Sequence, residues 1–182
     1  MVLIKSVRGY SPKMGKDCYL ADNATLVGNI TMGDQCSVWF NAVVRGDVEP
    51  IVMGNKVNIQ DNATIHGTYG RAATVIGDNV SIAHNAVVHG CKIGHNVLVG
   101  IGAIIMDNAE IGDNCIIAMG AVVPMNTKVP SGTVYAGVPA KKLKDLDPEL
   151  FKGEVERIAN NYIEYASWFS DSAESSTDKE GF

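Results

Sequence analysis

The sequence predicts a mainly β protein, a parallel β-helix of short strands wound into stacked coils, closed by one C-terminal helix. Three observations carry that prediction. Aliphatic residues recur every six positions, small residues recur four positions after many of them, and Gly-Asp pairs punctuate the units. A period of six matches neither the 3.6 of a helix nor the alternation of a long strand. It matches hexapeptide units stacked as a solenoid.

The anchors begin at Leu20, Leu26, Met32, Val38 and Val44, and resume at Met53, Ile59 and Ile65, then at Ile76, Ile82 and Val88. They then run unbroken through Ile93, Val99, Ile105, Ile111, Ile117, Val123 and Val129 to Tyr135. Ala24, Cys36, Ala42, Ala63, Ala86, Ala103, Ala109, Cys115 and Ala121 follow at the fourth position and suit a narrow interior. IGDN, at Ile76 and again at Ile111, brings turn residues that tolerate positive φ. Three hexads per coil give about six coils. Two insertions interrupt the rhythm, one between Val44 and Met53 around Glu49-Pro50, the other between Ile65 and Ile76 within GTYGRAA. In a solenoid such excess forms loops on one face, often the binding face.

After VPSGTVYAGVPAKK the period changes. Asp147 reads as an N-cap, Pro148 as a first-turn proline and Glu149 as a first-turn acid. Val155, Ile158, Tyr162, Ala166 and Phe169 follow at helical spacing, despite Gly153. A helix of roughly 20 residues from Pro148 is expected to pack along the solenoid. The expected division is therefore 1–140 for the repeat domain, 141–169 for linker and helix, and 170–182 for a polar, disordered tail.

Composition narrows the function. Of 182 residues 46% are hydrophobic but only 7% aromatic, so Val, Ile, Ala and Met must build the core. The net charge of −5 comes without a basic cluster, which argues against nucleic acid or a membrane surface as partner. MVLIKSVRGY lacks the apolar stretch of a signal peptide, and no segment is expected to span a bilayer. Cys18, Cys36, Cys91 and Cys115 form no C-x-x-C pair and read as reduced thiols, some of them core fillers. A cytoplasmic protein is expected.

Stacking converts spacing into geometry. Residues three hexads apart lie one strand spacing apart, about 4.8 Å. Arg45, His66 and His89, each one position after its anchor, should form one column. Asp61 and His84, each two after an anchor, should share a different edge, with Gln60 beside Asp61. Two stacked imidazoles can converge on one metal ion with Zn–N distances of about 2.0–2.1 Å. His84 and His89 lie on adjacent edges and cannot serve the same ion within one chain. In a threefold assembly, however, the His84 edge of one subunit could meet the His66/His89 edge of the next. The expectation is a homotrimer with interfacial metals, each bound by three histidines with one open position. His95 reads as a surface residue with no histidine or carboxylate stacked in register.

NAVVRGD (Asn41–Asp47), NIQDNATIHG (Asn58–Gly67) and IAHNAVVHGCKIG (Ile82–Gly94) resemble the gamma-class carbonic anhydrases and their relatives, and the resemblance spans nearly the whole chain. It implies a triangular section and left-handed winding, which the period alone does not give. It implies metal ligands His66 and His89 from one subunit and His84 from the next, with Zn2+ as the metal and Fe2+ or Co2+ chemically reasonable. It implies that Arg45 and Asp61 form an ion pair across the interface, that Asp47 and Gln60 line the site, and that metal-bound hydroxide attacks carbon dioxide to give bicarbonate, with Gln60 orienting hydroxide or product. From the residues alone, Arg45 and Asp47 could equally be an interface salt bridge, and Gln60 and Asp61 turn caps. Tyr162 could reach a neighbouring site, as a helix tyrosine does in relatives, or pack in the core.

Two departures bear on rate. Val48 stands where the best-studied type has a glutamate, and Gly67-Thr68-Tyr69-Gly70-Arg71 contains no proton-shuttling carboxylate. Losing a shuttle costs roughly one to several orders of magnitude where buffer is scarce. Two other functions fit the scaffold. YAGVPAKK resembles the segment that contacts acyl-CoA in hexapeptide acetyltransferases, so an acyl-CoA thioesterase or acyltransferase-like enzyme is one alternative. A non-catalytic trimer held together by metal is the other.

Overall fold

Each coil runs along three sheet faces, the first two joined through the long strands Thr25–Met32 and Val43–Met53, so the hexads close into a three-sided prism. The computed structural model describes residues 1–171; the expected tail lies outside them from residue 172 onward. On the first face Thr25, Val43, Thr64, Val87, Ile104 and Val122 stand in register. On the second, Thr31, Val52, Val75, Lys92, Glu110 and Lys128 do so. On the third the ladder is Tyr19, Ser37, Asn58, Ser81, Leu98, Ile116 and Val134. The solenoid makes about 7 turns. The turn beyond the hexad count comes from the N-terminus, where Leu3–Lys5 pairs with Thr25–Val27 and Lys13 bridges to Thr31.

Every anchor from Leu26 to Val129 is at most 3% exposed, and so are the small residues between them. Leu20 and Tyr135 close the two ends, partly buried against that core. The turn residues divide their work. Asn79, Asn96 and Asn114 hold positive φ at one corner and Asn41, Asn62 and Asn85 at another, a conformation asparagine tolerates. Gly77 of IGDN is needed for space instead. A Cβ there would lie 2.7 Å from the Gly94 carbonyl oxygen, so glycine lets consecutive coils approach.

The corner between the second and third faces carries a vertical ladder. Asp34, Asn55, Asp78, His95, Asp113 and Ser131 each accept a backbone N–H from the coil below, at 2.7–3.0 Å. His95 thus sits directly over Asp78, with Nδ1 3.3 Å from the carboxylate. This corrects the expectation that nothing ionisable lies in register with it; Asp78 and His95 both follow paired anchors, Ile76 and Ile93, by two.

The segment from 141, expected as linker, begins with a strand. Lys141–Asp145 pairs antiparallel with Thr133–Ala136, and its lysines blunt the terminal edge of the third face against further pairing. Asp147 then caps the helix as expected, accepting the Leu150 N–H at 2.8 Å with Pro148 in the first turn. The helix runs as Pro148–Leu150, a π-helical stretch Phe151–Glu156 that contains Gly153, and Arg157–Asp171. It covers the third face, where Leu98, Ile116 and Val134 bury Val155 among Leu150, Phe151 and Ile158. No helix among the described residues is long and apolar enough to cross a membrane.

Candidate metal centre

Both insertions fall at the corner between the first and second faces, where the strands Thr64–His66 and Val87–His89 end. Register places His66 directly opposite His89. Their rings are 5.2 Å apart between centroids, and His66 Nδ1 faces His89 Nε2 at 3.2 Å. The outer nitrogen of each ring meets a carboxylate: His66 Nε2 lies 3.0 Å from Asp47 Oδ1, and His89 Nδ1 2.5 Å from Asp107 Oδ1. Arg45 Nη1 donates to Asp47 Oδ2 at 2.5 Å, and Thr68 Oγ1 to Asp107 Oδ2 at 2.5 Å.

Electrostatics fixes the protons. Burial works against ionisation of Asp47, but hydrogen bonds from Arg45 and His66 outweigh it and hold the carboxyl below its ordinary range. Burial opposes Asp107 likewise, and Thr68 and His89 again prevail. Ionised carboxylates only accept hydrogen bonds, so the outer nitrogens of both rings carry protons. In neutral rings, His66 Nδ1 and His89 Nε2 then turn two lone pairs toward each other. Such a pair repels unless a proton or a cation lies between. Two ligands about 2.05 Å from one tetrahedral zinc lie roughly 3.3 Å apart, close to the separation observed. The donor set therefore fits a metal.

His84 occupies the corner between the third and first faces. Its Nδ1 meets Asp61 Oδ2 at 2.9 Å, as the stacking of Ile59 under Ile82 requires. Its Nε2 lies 3.4 Å from the Tyr162 hydroxyl. The Tyr162 ring also packs edge-on against Trp39 at 5.2 Å. Burial, then Asp61 and Tyr165, pushes its hydroxyl up to about 12, so it stays a donor. Gln60 is 3% exposed; its Nε2 donates to Asn58 Oδ1 at 3.0 Å, and Asn58 donates in turn to Ser81. Gln60 and His84 line one end of a cleft of about 520 Å³ between helix and third face, together with Leu98, Ile116, Met119 and Ile158.

Within one chain Arg45 pairs with Asp47 and Asp61 with His84, so the two residues expected to pair across subunits each hold a partner of their own. Among the described residues of the single chain, no three His, Cys, Asp or Glu side chains converge as a metal-binding set. The sequence reading missed Asp107, Thr68 and Thr74. Asp107 was legible in principle, two positions after Ile105, which stacks on Val88. Thr68 lies inside the second insertion, where the hexad register gives no coordinates, and Thr74 opens the strand that follows it. Glu49 was also passed over: its Oε1 accepts the Gly70 N–H at 2.7 Å, so the first insertion brings a carboxylate to the carboxylate-free second.

Comparison with known proteins agrees with this architecture. The family described as bacterial transferase hexapeptide (six repeats) matches residues 90–124. A carbonic anhydrase of Geobacillus kaustophilus is 38% identical, over 92% of this chain and 91% of its own. A probable carbonic anhydrase of Methanocaldococcus jannaschii is 44% identical over 84% and 92%. A crystal structure from Bacillus cereus, described as a candidate acetyltransferase, superposes with TM-score 0.90 at 35% identity over 93% of this chain and 98% of its own.

Proposed function

The chain belongs to the gamma-class carbonic anhydrase family, and from that premise we propose that it interconverts carbon dioxide and bicarbonate at metal sites shared between subunits of a homotrimer. The observation that carries the reading is the facing of His66 Nδ1 and His89 Nε2, 3.2 Å apart, with the outer nitrogen of each ring held by a carboxylate. His66 and His89 of one subunit and His84 of its neighbour would hold the ion, zinc first, with iron(II) or cobalt(II) compatible. When bound, the metal supplies the Lewis acidity that makes water nucleophilic near neutral pH.

The chain's own groups do the rest. Asp61 accepts a hydrogen bond from His84 Nδ1–H and so sets the lone pair on Nε2. Asn58 turns the Gln60 amide nitrogen inward, leaving its oxygen to accept a hydrogen bond from water or product. Tyr162 donates from the helix side. With no carboxylate in residues 67–71, turnover is expected to depend steeply on added buffer.

Exposed apolar residues support the trimer. Ile101 and Met119, 52% and 77% exposed, stack above His84, and Met125, 53% exposed, flanks the other metal edge. Such residues are costly in water unless a second copy covers them. Met119→Glu is expected to shift the trimer toward monomer in sedimentation, with metal lost alongside.

The cleft beside His84 and Gln60 favours one second reading. At about 520 Å³ and largely apolar, it is of the size that holds drug-sized ligands, so an acyl thioester could be hydrolysed by the same centre. The deciding experiment is anaerobic purification with metal analysis, followed by carbon dioxide hydration and acyl-CoA hydrolysis on the same sample. Hydration well above buffer supports the first reading. Its absence with zinc, cobalt and iron(II) each loaded overturns it.

A further inference from the structure

We infer that Asp107, braced by Thr68, is a positioning residue that fixes His89 for metal binding and ties that ligand to the second insertion. The inference rests on the metal reading above and extends it to residues that neither the repeat nor the family resemblance singles out.

Asp107 comes from the coil above His89 and is 7% exposed. A carboxylate so buried is costly unless both oxygens are satisfied, and here each has one partner, His89 and Thr68. Unlike the ladder aspartates, its side chain caps no backbone N–H among the described hydrogen bonds. Turn capping therefore does not explain it. Gly90 makes the contact possible: a Cβ at that position, where φ is +54°, would lie 2.6 Å from Asp107 Oδ1 and 2.6 Å from the Ala72 Cβ.

The insertion is shaped to reach Asp107. Thr68 and Ala72 exchange backbone hydrogen bonds at 3.0 Å in both directions, which closes the loop and aims the Thr68 hydroxyl. At the loop's exit, Thr74 Oγ1 donates to the His66 carbonyl at 2.6 Å and accepts the Gly90 N–H at 3.1 Å. One hydroxyl thus joins the strand ends of both histidines. The residues that lengthen this hexad act as a brace around the pair.

Outer partners of this kind set a ligand's tautomer and ring orientation and are worth about 10–100-fold in metal affinity. The test is chelator competition for zinc and cobalt(II) on the intact assembly, with the visible cobalt spectrum recorded for wild type, Asp107→Ala, Asp107→Asn, Thr68→Val and His89→Ala. Asp107→Ala should weaken affinity about 10–100-fold and change the cobalt spectrum, and Asp107→Asn should recover part of both, because its amide oxygen still accepts from Nδ1. Thr68→Val, which keeps shape and loses only the hydroxyl, should weaken affinity about two- to tenfold. Wild-type affinity and spectrum in both Thr68→Val and Asp107→Asn, beside a His89→Ala that binds no metal, overturn the brace and leave the metal reading standing. Wild-type protein that binds no metal, or His89→Ala that binds it normally, overturns the metal reading and the brace with it.

Discussion

His84 and His95 occupy the same position in the repeat, two residues after a buried anchor, each directly above an aspartate. Their chemistry differs because of one hydrogen bond. At His95 the Nδ1 lone pair accepts the backbone N–H of Asp78 at 3.0 Å, so the ring serves as one rung of the structural ladder and its proton belongs on Nε2. At His84 the Asp61 carboxylate accepts from Nδ1–H, which leaves the lone pair on Nε2, where it meets the Tyr162 hydroxyl at 3.4 Å and, among the described residues, no backbone N–H. One corner of the prism spends its side chains on its own backbone, and the other presents them outward. What separates the structural histidine from the ligand is whether the chain's own backbone uses the unprotonated nitrogen, as it does at His95.

The largest effect should come from breaking that difference directly. His84→Ala is expected to lower carbon dioxide hydration at least about a thousandfold and to abolish metal retention. His95→Ala should leave turnover within about twofold and lower stability by at most about 1 kcal/mol, since water can replace the lost acceptor. Side-by-side kinetics and thermal melts of the two variants decide the matter. Equal losses of activity would show that the ladder histidine also serves the site.

The aspartates beneath them offer a sharper version. Asp78→Ala strips the acceptor from the Asn55 N–H, now 2.7 Å from Oδ1, and should cost about 1–2 kcal/mol, visible as a Tm lower by roughly 2–8 °C in a domain of this size. Its metal affinity should stay at the wild-type level. Asp61→Ala should do the reverse, weakening metal binding about 10–100-fold while the metal-free Tm barely moves. A melt and a chelator titration on each variant would erase the distinction between corners if the two showed the same pair of changes.

The repeat made much of this legible beforehand. Six-residue spacing locates the interior from Leu26 to Val129, and a count of three hexads places His66 against His89 and Asp61 under His84. What the count could not reach lies where the period fails. The first coil has no hexads, so Leu3 and Lys13 were passed over. Thr68, Thr74 and Glu49 sit in or beside insertions, whose path depends on tertiary contacts rather than register. Lys141–Asp145 became a strand because the last sheet edge was open, which no local pattern announces. His95 departs from the expected surface role because the pairing of Ile93 with Ile76 sets it over Asp78.

The smallest expected effect extends the comparison to acid conditions. In the ladder an amide does the work of a carboxylate: Asn55 accepts the Asp34 N–H at 2.8 Å, so Asp78→Asn should change stability near neutral pH by less than about 0.5 kcal/mol. Asp107 should not tolerate the exchange so easily, because its charge is part of the contact. Burial raises its pKa, but the Thr68 and His89 hydrogen bonds outweigh that and hold it below the ordinary value of 3.8. A carboxyl whose folded pKa lies below its unfolded one contributes stability that is fully present above the unfolded value. That contribution is lost as pH falls through the folded value. Metal-free wild type should therefore exceed Asp107→Asn in stability by a constant margin at about pH 5, and the margin should shrink steadily below 3.8. Urea melts of both proteins at closely spaced acidic pH values measure it. A margin that persists undiminished to about pH 2 would mean that shape, not charge, holds Asp107 against His89.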